Sequence, residues 1–406
     1  MKKLVYIISA LCLIASCDAD LNEVDFGGKG GGEYAASDGE WGGEGVAPGS
    51  GESGNGEGGN SQAGRVTAGE WCDLDNWEFW GKLMNGQDYS VMSSYWGFWT
   101  NNRVAVLVTD NENNPVSGVK VALSDAGTEL WSTVTDNRGL ADCWVGLFML
   151  DEDVDASALK LKVNGEEVEG SPSVTGWDCP NGVAVNKVVL ENAVPAAEKA
   201  DIAFIVDATG SMMDEIQFLK DDLMDILRKV EAKQGGVSFR TGSVFYRDVD
   251  DEYVTRTSNF SDQFSTTLSF IEQQVADGGG DYPEAVHTAL EVTLQGLSWD
   301  ETAKTKIAFI LLDAPAHKQD NVIESLQKSI KAFAANGIKI IPIAASGADK
   351  NTEFMLRFFA TATGGTYVFI TNDSGIGGDH IEATVGEYEV EILNDLIIRL
   401  IEKYTD

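Results

Sequence analysis

The sequence predicts a multidomain protein with an N-terminal β-sandwich and a C-terminal α/β domain built on a doubly wound parallel sheet. Three observations lead to this prediction. Short apolar runs separated by turn residues fill residues 65–196, a pattern typical of sandwiches. Strand-like and helix-like apolar patterns alternate over residues 197–406, as they do in parallel α/β folds. Residues 17–64 are instead dominated by Gly, Ser, Asn, Ala and acidic residues.

The N-terminus carries the features of an export signal. Two lysines precede an apolar stretch, Leu4 to Leu13, that is too short to span a bilayer. Ile14-Ala15-Ser16-Cys17 follows and resembles the lipobox of bacterial lipoproteins. The resemblance implies that residues 1–16 are a signal peptide and that Cys17 becomes a lipidated N-terminus. It also implies anchoring to the bacterial outer membrane or cell surface. An ordinary secretory signal with a chance cysteine is the alternative.

The segment 17–64 is expected to be a flexible acidic linker, because it cannot bury enough apolar surface to offset the entropy of ordering. The formal net charge of the chain is -36. This charge excludes nucleic acid as a partner, since phosphate binding needs clustered Lys and Arg. It also argues against docking on anionic lipid headgroups, so we expect the membrane to be reached through the lipid anchor alone.

The region 65–196 is rich in tryptophan. Its segments Thr109 to Val119 and Thr135 to Gly139 resemble carboxypeptidase-regulatory or transthyretin-like sandwiches. Dense aromatic residues are typical of a small domain's core, but they also occur in carbohydrate-binding platforms, where rings stack on sugars. Four residues would form such a platform: Trp77, Trp80, Trp96 and Trp99.

Five cysteines are present in the chain. Cys12 would leave with the signal peptide and Cys17 would carry lipid, so Cys72, Cys143 and Cys179 remain. An exported location permits disulfides, and three thiols allow one pair with one left over. The sequence does not choose among the three pairings.

The α/β domain is predicted element by element from its apolar periodicity. We expect residues 198–406 to fold as an independent unit, because the alternation of buried strands and helices is complete. The predicted elements are strand Ile202–Val206, a helix after Ser211, strand Val237–Tyr246, helices Phe264–Val275 and Glu284–Leu297, strand Lys306–Leu312, helix Asn321–Ala335, strand Ile338–Ala345, helix Thr352–Ala362, strand Thr366–Ile370 and helix Val390–Tyr404.

Three polar residues occupy the turn between the first of these strands and its helix. Alternate residues of an extended turn point the same way, so Asp207, Thr209 and Ser211 can converge on one point. In open α/β sheets, ligands bind beyond the carboxyl ends of the strands. Carboxylate and hydroxyl oxygens are hard donors that suit Mg²⁺, Mn²⁺ or Ca²⁺ rather than zinc. The alternative is that one of these residues is only a helix N-cap.

The Asp-x-Thr-x-Ser segment resembles the metal-ion-dependent adhesion site (MIDAS) of von Willebrand factor type A domains, in which the middle hydroxyl is usually a Ser. The resemblance implies a Rossmann-like fold and further ligands from separate loops. Gly278 to Glu284 is similar to the Gly-Gly-Gly-Asp-x-Pro-Glu loop of hemicentin-like members and implies Asp281 as a ligand, with Glu284 as a weaker candidate. Asp313 follows a buried strand and matches the family's water-linked Asp. Asp248 is a candidate supporting residue, or the partner in a salt bridge with Arg247 or another neighbour.

The resemblance implies a function. Mg²⁺ is the first choice of cation, with Mn²⁺ and Ca²⁺ as alternatives, and the protein ligands leave a coordination position open for an Asp or Glu carboxylate of a partner protein. We do not expect an enzyme, because no His-Glu helix motif, Gly-x-Ser-x-Gly elbow or phosphate loop is present. Two alternatives remain: a carbohydrate-binding protein that uses the Trp-rich region, and a metal-dependent hydrolase, since an open metal position can also activate water.

Overall fold

The computed structural model describes residues 7–10, 66–149, 155–194, 196–233, 236–374 and 378–406. All of these residues belong to one compact unit. Cys17 and the predicted linker up to residue 64 lie outside the described residues, as does most of the predicted signal peptide. No helix among the described residues is long and apolar enough to cross a membrane.

The described residues form strands and helices with the following bounds. The strands are β1 Ile7–Ala10, β2 Thr67–Trp71, β3 Arg103–Asp110, β4 Lys120–Asp125, β5 Thr128–Val134, β6 Leu140–Trp144, β7 Leu159–Val163, β8 Glu166–Glu167, β9 Val185–Leu190, β10 Ala197–Asp207, β11 Ser238–Tyr246, β12 Thr255–Ser261, β13 Ala303–Leu312, β14 Ile338–Ala344, β15 Tyr367–Ile370 and β16 Glu391–Ile392. The helices are α1 Trp77–Met84, α2 Gln87–Trp96, α3 Met213–Lys233, α4 Phe264–Glu272, α5 Val286–Gly296, α6 Asp320–Ala335, α7 Lys350–Thr363 and α8 Leu393–Thr405.

An eight-stranded sheet carries the C-terminal part of the fold, in the order β12-β11-β10-β13-β14-β15-β2-β16. The five central strands are parallel, as predicted: β11, β10, β13, β14 and β15. The sheet as a whole is mixed. Strands β12, β2 and β16 pair antiparallel at the two sides. The sequence analysis missed β12 because this edge strand is largely polar and lacks the apolar run on which the other predictions rest.

Helices cover both faces of this sheet, which is the doubly wound arrangement that the alternation predicted. Ile307 and Phe309 of β13 belong to a cluster with α3 and α8. Ala308 and Ile310 of the same strand belong to a second cluster with α5, α6 and α7. Side chains alternate between faces along a strand, so an uninterrupted apolar run is what burial on both faces requires.

Strand β2 comes from the range assigned to the Trp-rich domain, yet it lies in the eight-stranded sheet. It pairs with β15 and β16, and Leu393 donates its backbone N–H to the Val66 carbonyl at 2.8 Å. Val66 and Ala68 are buried in the cluster that contains α8. A fragment 198–406 would lack this strand and leave the edge of β15 open, which removes the basis for expecting that fragment to fold alone.

Two four-stranded sheets occupy most of the remaining N-terminal region, in the orders β1-β9-β3-β6 and β5-β4-β7-β8. Buried side chains from both sheets share one cluster with α6 and α7. Helices α1 and α2 precede β3 and add a helical part that the sequence analysis did not predict. The β-sandwich over residues 65–196 therefore stays a prediction, and its core is continuous with that of the α/β part.

The tryptophans form part of this core rather than an exposed platform. Trp77, Trp80 and Trp96 are at most 3% exposed, and Trp99 is half-buried. The first three donate their indole N–H groups to protein oxygens at 2.9, 2.6 and 2.8 Å. Buried ring faces cannot stack on a sugar, so the carbohydrate-binding alternative loses its physical basis.

The three remaining cysteines are free thiols. Cys72 is half-buried, and Cys143 and Cys179 are buried. Burial raises the pKa of the Cys72 thiol to about 12, which keeps it protonated and unreactive at neutral pH. None of the three possible disulfide pairings among Cys72, Cys143 and Cys179 is formed.

Candidate functional site

The predicted turn brings Asp207, Thr209 and Ser211 together at the carboxyl end of β10. Asp207 is fully buried, and its Oδ1 atom accepts hydrogen bonds from the backbone N–H of Thr209 at 2.9 Å and from Thr209 Oγ1 at 2.7 Å. The hydroxyls of Thr209 and Ser211 lie 3.4 Å apart. Thr209 precedes the 3₁₀ turn Gly210–Met212, but its side chain makes no capping bond. The N-cap alternative therefore does not explain this residue.

Three further carboxylates join Asp207 in the buried interior near this edge. Asp313 directly follows β13, the parallel neighbour of β10. Glu284 is held beside it, because its backbone N–H donates to the Pro315 carbonyl at 2.9 Å. Burial, followed by repulsion from Glu215 in the first turn of α3, raises the pKa of Asp313. All four side chains are at most 5% exposed, and none forms an ion pair with Lys or Arg among the described residues.

Each of these carboxylates has one buried oxygen atom without a hydrogen-bond partner among the described residues. The four atoms are Asp207 Oδ2, Glu215 Oε2, Glu284 Oε2 and Asp313 Oδ1. Buried polar atoms are normally paired, since an unpaired one costs about 1–3 kcal/mol, and more when it is charged. Four such atoms lie in one region, and no described Lys or Arg side chain donates to them.

The electrostatics of the group agree with this shortage of positive charge. Burial, followed by repulsion from Asp313, raises the pKa of Asp207 to about 7. Burial, followed by repulsion from Asp207 and other acids, raises the pKa of Glu284 to about 9. Arg247 lies nearby, but it donates to the carbonyl oxygens of Ala208 and Val275 at 3.1 and 2.9 Å and compensates none of these carboxylates.

The glycine loop, Gly278 to Glu284, contacts the turn that carries Thr209 and Ser211. The N–H of Gly210 donates to the Gly278 carbonyl at 3.2 Å. A Cβ atom on Gly279 would lie 3.1 Å from Glu284 Oε1 and 3.2 Å from Thr209 Cβ, so this glycine allows the loop to approach both residues. Asp251 holds the loop in place by accepting the Gly279 N–H at 2.9 Å. The sequence analysis missed Asp251, which lies in an acidic run with no motif to mark it.

Residues 201–372 match the sequence profile of the von Willebrand factor A domain. This part of the chain is a von Willebrand factor A domain. It contains Asp207, Thr209 and Ser211 as well as Glu284 and Asp313.

Two relatives are each 30% identical to the chain in this region. One is the alpha-protein kinase vwkA of Dictyostelium discoideum, over 150 residues, 36% of this chain and 23% of the relative. The other is the putative ariadne-like RING finger protein R811 of Acanthamoeba polyphaga mimivirus, over 133 residues, 33% of this chain and 13% of the relative. The chain thus spans less than a quarter of the length of either relative.

Two solved structures resemble the fold at low identity. The conserved hypothetical protein BatB from Bacteroides thetaiotaomicron is 13% identical, with a TM-score of 0.34, and the match covers 50% of this chain and 98% of that one. An aerotolerance-related membrane protein from Bacteroides fragilis is 12% identical, with a TM-score of 0.33, and the match covers 50% and 99%.

Three predicted residues of this von Willebrand factor A domain remain: Asp281, Glu284 and Asp248. Asp281 is exposed on the glycine loop, and no described contact brings it to Asp207, whereas Glu284 is buried beside the cluster. The weaker candidate, Glu284, thus lies within the buried carboxylate group and Asp281 lies outside it, and which of the two binds a cation stays a prediction. Asp248 does not pair with Arg247; its Oδ1 atom lies 2.6 Å from His317 Nε2, and its charge acts on Glu284.

The donor atoms define what this site can hold. No group of three or more His, Cys, Asp or Glu side chains among the described residues is arranged to bind a metal ion by itself. A cation at this site would therefore also need the hydroxyls of Thr209 and Ser211, together with water. The unpaired oxygens of Asp207, Glu284 and Asp313 are hard donors that fit Mg²⁺, which commonly keeps several waters in its shell.

Proposed function

We propose that the protein is a surface lipoprotein whose von Willebrand factor A domain binds an acidic segment of a partner protein through a divalent cation, and that it is not an enzyme. Mg²⁺ is the first choice of cation, with Mn²⁺ and Ca²⁺ as alternatives. The single observation that carries the proposal is the set of buried carboxylate oxygens without partners beside two hydroxyls at the carboxyl end of β10.

Each side chain has a distinct part in this proposal. Asp207, Thr209 and Ser211 would hold the cation, and Glu284 and Asp313 would do so directly or through water. Bound there, the cation supplies the positive charge that attracts a partner's carboxylate. Asp207 also orients the Thr209 hydroxyl, because its Oδ1 atom accepts that proton at 2.7 Å. The glycine loop held by Asp251 leaves space that larger side chains would fill.

The segments that form the site also carry exposed apolar side chains, which favours a protein partner over a small anion. Met213 and Val275 are each 62% exposed, Val249 is 48% exposed and Tyr282 is 44% exposed. Exposed apolar groups around a polar centre are typical of protein interaction surfaces. A partner segment would then combine one carboxylate with apolar neighbours.

A capture experiment tests this function. The purified protein is immobilised and exposed to proteins released from the surface of the native cells, with Mg²⁺ or with EDTA. We expect one or more proteins to be retained only with Mg²⁺, and Glu284→Gln to reduce retention at least tenfold, since a carboxylate beside the cation is lost. Asp281→Asn is the matched control from the same loop and should retain them normally.

The capture experiment has two outcomes that count against the proposal. Retention that survives EDTA would exclude a cation link. If Asp281→Asn fails to retain the partner protein and Glu284→Gln retains it normally, the loop's cation ligand is Asp281 and not Glu284.

A metal-dependent hydrolase is the second candidate, and one observation favours it. His317 and Asp248 form a close pair at 2.6 Å, and a carboxylate-oriented imidazole is a common general base. His317→Ala separates the two functions, because a binding protein should keep its captured partner intact in the parent and in this variant. A partner that is cleaved by the parent but not by His317→Ala would favour the hydrolase.

The lipid anchor has its own test. Cys17→Ser removes the thiol that would carry the lipid, so we expect the variant to move from the membrane fraction to the soluble fraction when cells are fractionated. The parent is the control in the same fractionation. A Cys17→Ser protein that stays with the membrane as the parent does would exclude the lipobox interpretation.

A further inference from the structure

A cavity lies at the end of the fold opposite the candidate cation site. Its walls include the first residues of β13 and β14 and the turn between β5 and β6, so it sits at the amino ends of the parallel strands. Asp207 lies at the carboxyl end of β10. The cavity is therefore separate from the site described above. The space open to the centres of water molecules is ≈ 60 Å³.

The lining of this cavity reverses the charge balance of the protein. The whole chain has 65 acidic residues and 29 Lys and Arg. Three acidic residues line the cavity, Asp75, Asp136 and Asp142, against five basic ones, Arg103, Arg138, Lys304, Lys306 and Lys339. Basic side chains thus outnumber acidic ones in this cavity, although the chain as a whole has a net charge of -36.

The acidic neighbours pair with some of the cations but not with all of them. Arg103 lies 2.6 Å from Asp142, and Arg138 lies 3.0 Å from Asp136. Lys339 shares Asp136 at 3.5 Å and donates to a backbone carbonyl at 2.9 Å. These contacts use two of the three carboxylates of the lining, and Lys304 lies 3.4 Å from Glu198, which is outside the lining, so Lys306 is the lining cation left without a carboxylate partner among the described residues.

Lys306 is the cation with the least compensation. It is 8% exposed, and its ammonium donates to one protein oxygen, the Asn336 carbonyl, at 3.1 Å. No carboxylate lies within ion-pair distance of it among the described residues. An ammonium has three donors, and a buried cation is costly without an anionic partner. Burial accordingly lowers the pKa of Lys306.

We propose that this cavity binds a small oxyanion of the phosphate or sulfate class, held by Lys306 with Lys304, Arg138 and Lys339. A space of ≈ 60 Å³ for water centres corresponds to about four to six water molecules, which is room for one tetrahedral oxyanion with some water. The Arg138 side chain is 42% exposed and offers the route from solvent.

Equilibrium dialysis with radiolabelled phosphate, and with sulfate in a parallel series, tests the proposal. Ionic strength is held constant with chloride, and EDTA is present so that the candidate cation site does not contribute. We expect saturable binding of one oxyanion per chain. Lys306→Met should weaken it at least tenfold, and its fold should be kept, because the variant removes a buried charge while preserving the aliphatic stem.

The controls separate this site from general charge effects. Lys328→Met changes the net charge equally on an exposed part of α6, where the side chain is 73% exposed, and should bind as the parent does. Arg138→Gln changes the exposed side of the cavity and should also weaken oxyanion binding. It serves as the test variant if circular dichroism shows that Lys306→Met is unfolded. The proposal is overturned if the parent binds neither anion saturably, or if the folded cavity variants bind as tightly as Lys328→Met.

Discussion

In the absence of divalent cations, the protein will lose stability as the pH rises from about 5 to about 8. The pKa of Asp207 rises from 3.8 to about 7 in the fold, and that of Glu284 from 4.5 to about 9. The folded state therefore holds protons that the unfolded state has released, so stability is greatest below the unfolded pKa values and declines up to the folded ones. The decline is on the order of several kcal/mol, since one unit of pKa shift corresponds to about 1.4 kcal/mol.

A divalent cation should remove most of this pH dependence. Bound between the carboxylates, it would favour their ionised forms, and a ligand at a hundred times its dissociation constant stabilises the fold by about 2.7 kcal/mol. The measurement is the free energy of unfolding between pH 5 and 8, with EDTA and with saturating Mg²⁺. Asp207→Asn should make the profile in EDTA shallower, because it removes one of the two titrating groups while burial still raises the pKa of Glu284. It should also lose the response to Mg²⁺, because it removes a cation ligand.

Asp281→Asn serves as the comparison for the same measurement. Its carboxylate is exposed and lies outside the buried group, so the profile should match that of the parent. A parent profile that is flat in EDTA would mean that the buried carboxylates are compensated by something other than a cation. An equal Mg²⁺ response in the parent and in Asp207→Asn would place the cation elsewhere.

The second large effect is expected at the buried ion pair between Asp73 and Arg357. Both side chains are at most 1% exposed, and two hydrogen bonds of 2.5 and 3.0 Å join them. Asp73→Ala would leave the guanidinium buried with Glu353 as its remaining acidic contact, at 3.6 Å. Removing one partner of a buried pair costs about 3–5 kcal/mol, so we expect a loss of that size in the free energy of unfolding by denaturant.

Two further variants make this prediction specific. Asp75→Ala changes an exposed acid two residues away and should cost less than about 0.5 kcal/mol. The double variant Asp73→Leu with Arg357→Met should recover part of the loss, because it replaces both members of the buried pair with apolar groups, while Glu353 keeps Lys350 as its cationic partner at 3.0 Å. If Asp73→Ala is no more destabilising than Asp75→Ala, the pair does not join the N-terminal region to α7 energetically.

The ion pair also explains why the predicted domain boundary at residue 196 does not divide the core. Asp73 and Arg357 are separated by 284 positions, and Trp96 donates to Asn351 on the same helix. Helix α7 is buried from Thr352 to Thr363, which the periodicity of an amphipathic helix does not predict. Residues that cover it come from before the boundary, so the buried core runs across residue 196.

Apart from the polar edge strand β12, the sequence alone determined the main alternating strands and helices of residues 197–406 and the positions of Asp207, Thr209, Ser211 and Asp313 at strand ends. These features are local. A buried parallel strand needs an apolar run, and the residues that follow it must lie at the carboxyl edge of the sheet. Parallel neighbours then bring Asp207 and Asp313 to the same edge without any knowledge of side-chain packing.

Only the tertiary structure buried Glu284 and left Asp281 exposed, paired Asp248 with His317, placed β2 in the large sheet and buried the tryptophans. Each of these outcomes depends on which distant segments pack together. Asp281 and Glu284 differ by three positions on one loop, and their burial follows from the contact between Glu284 and Pro315. Such contacts arise from the summed packing of many side chains, which a motif in one segment does not encode.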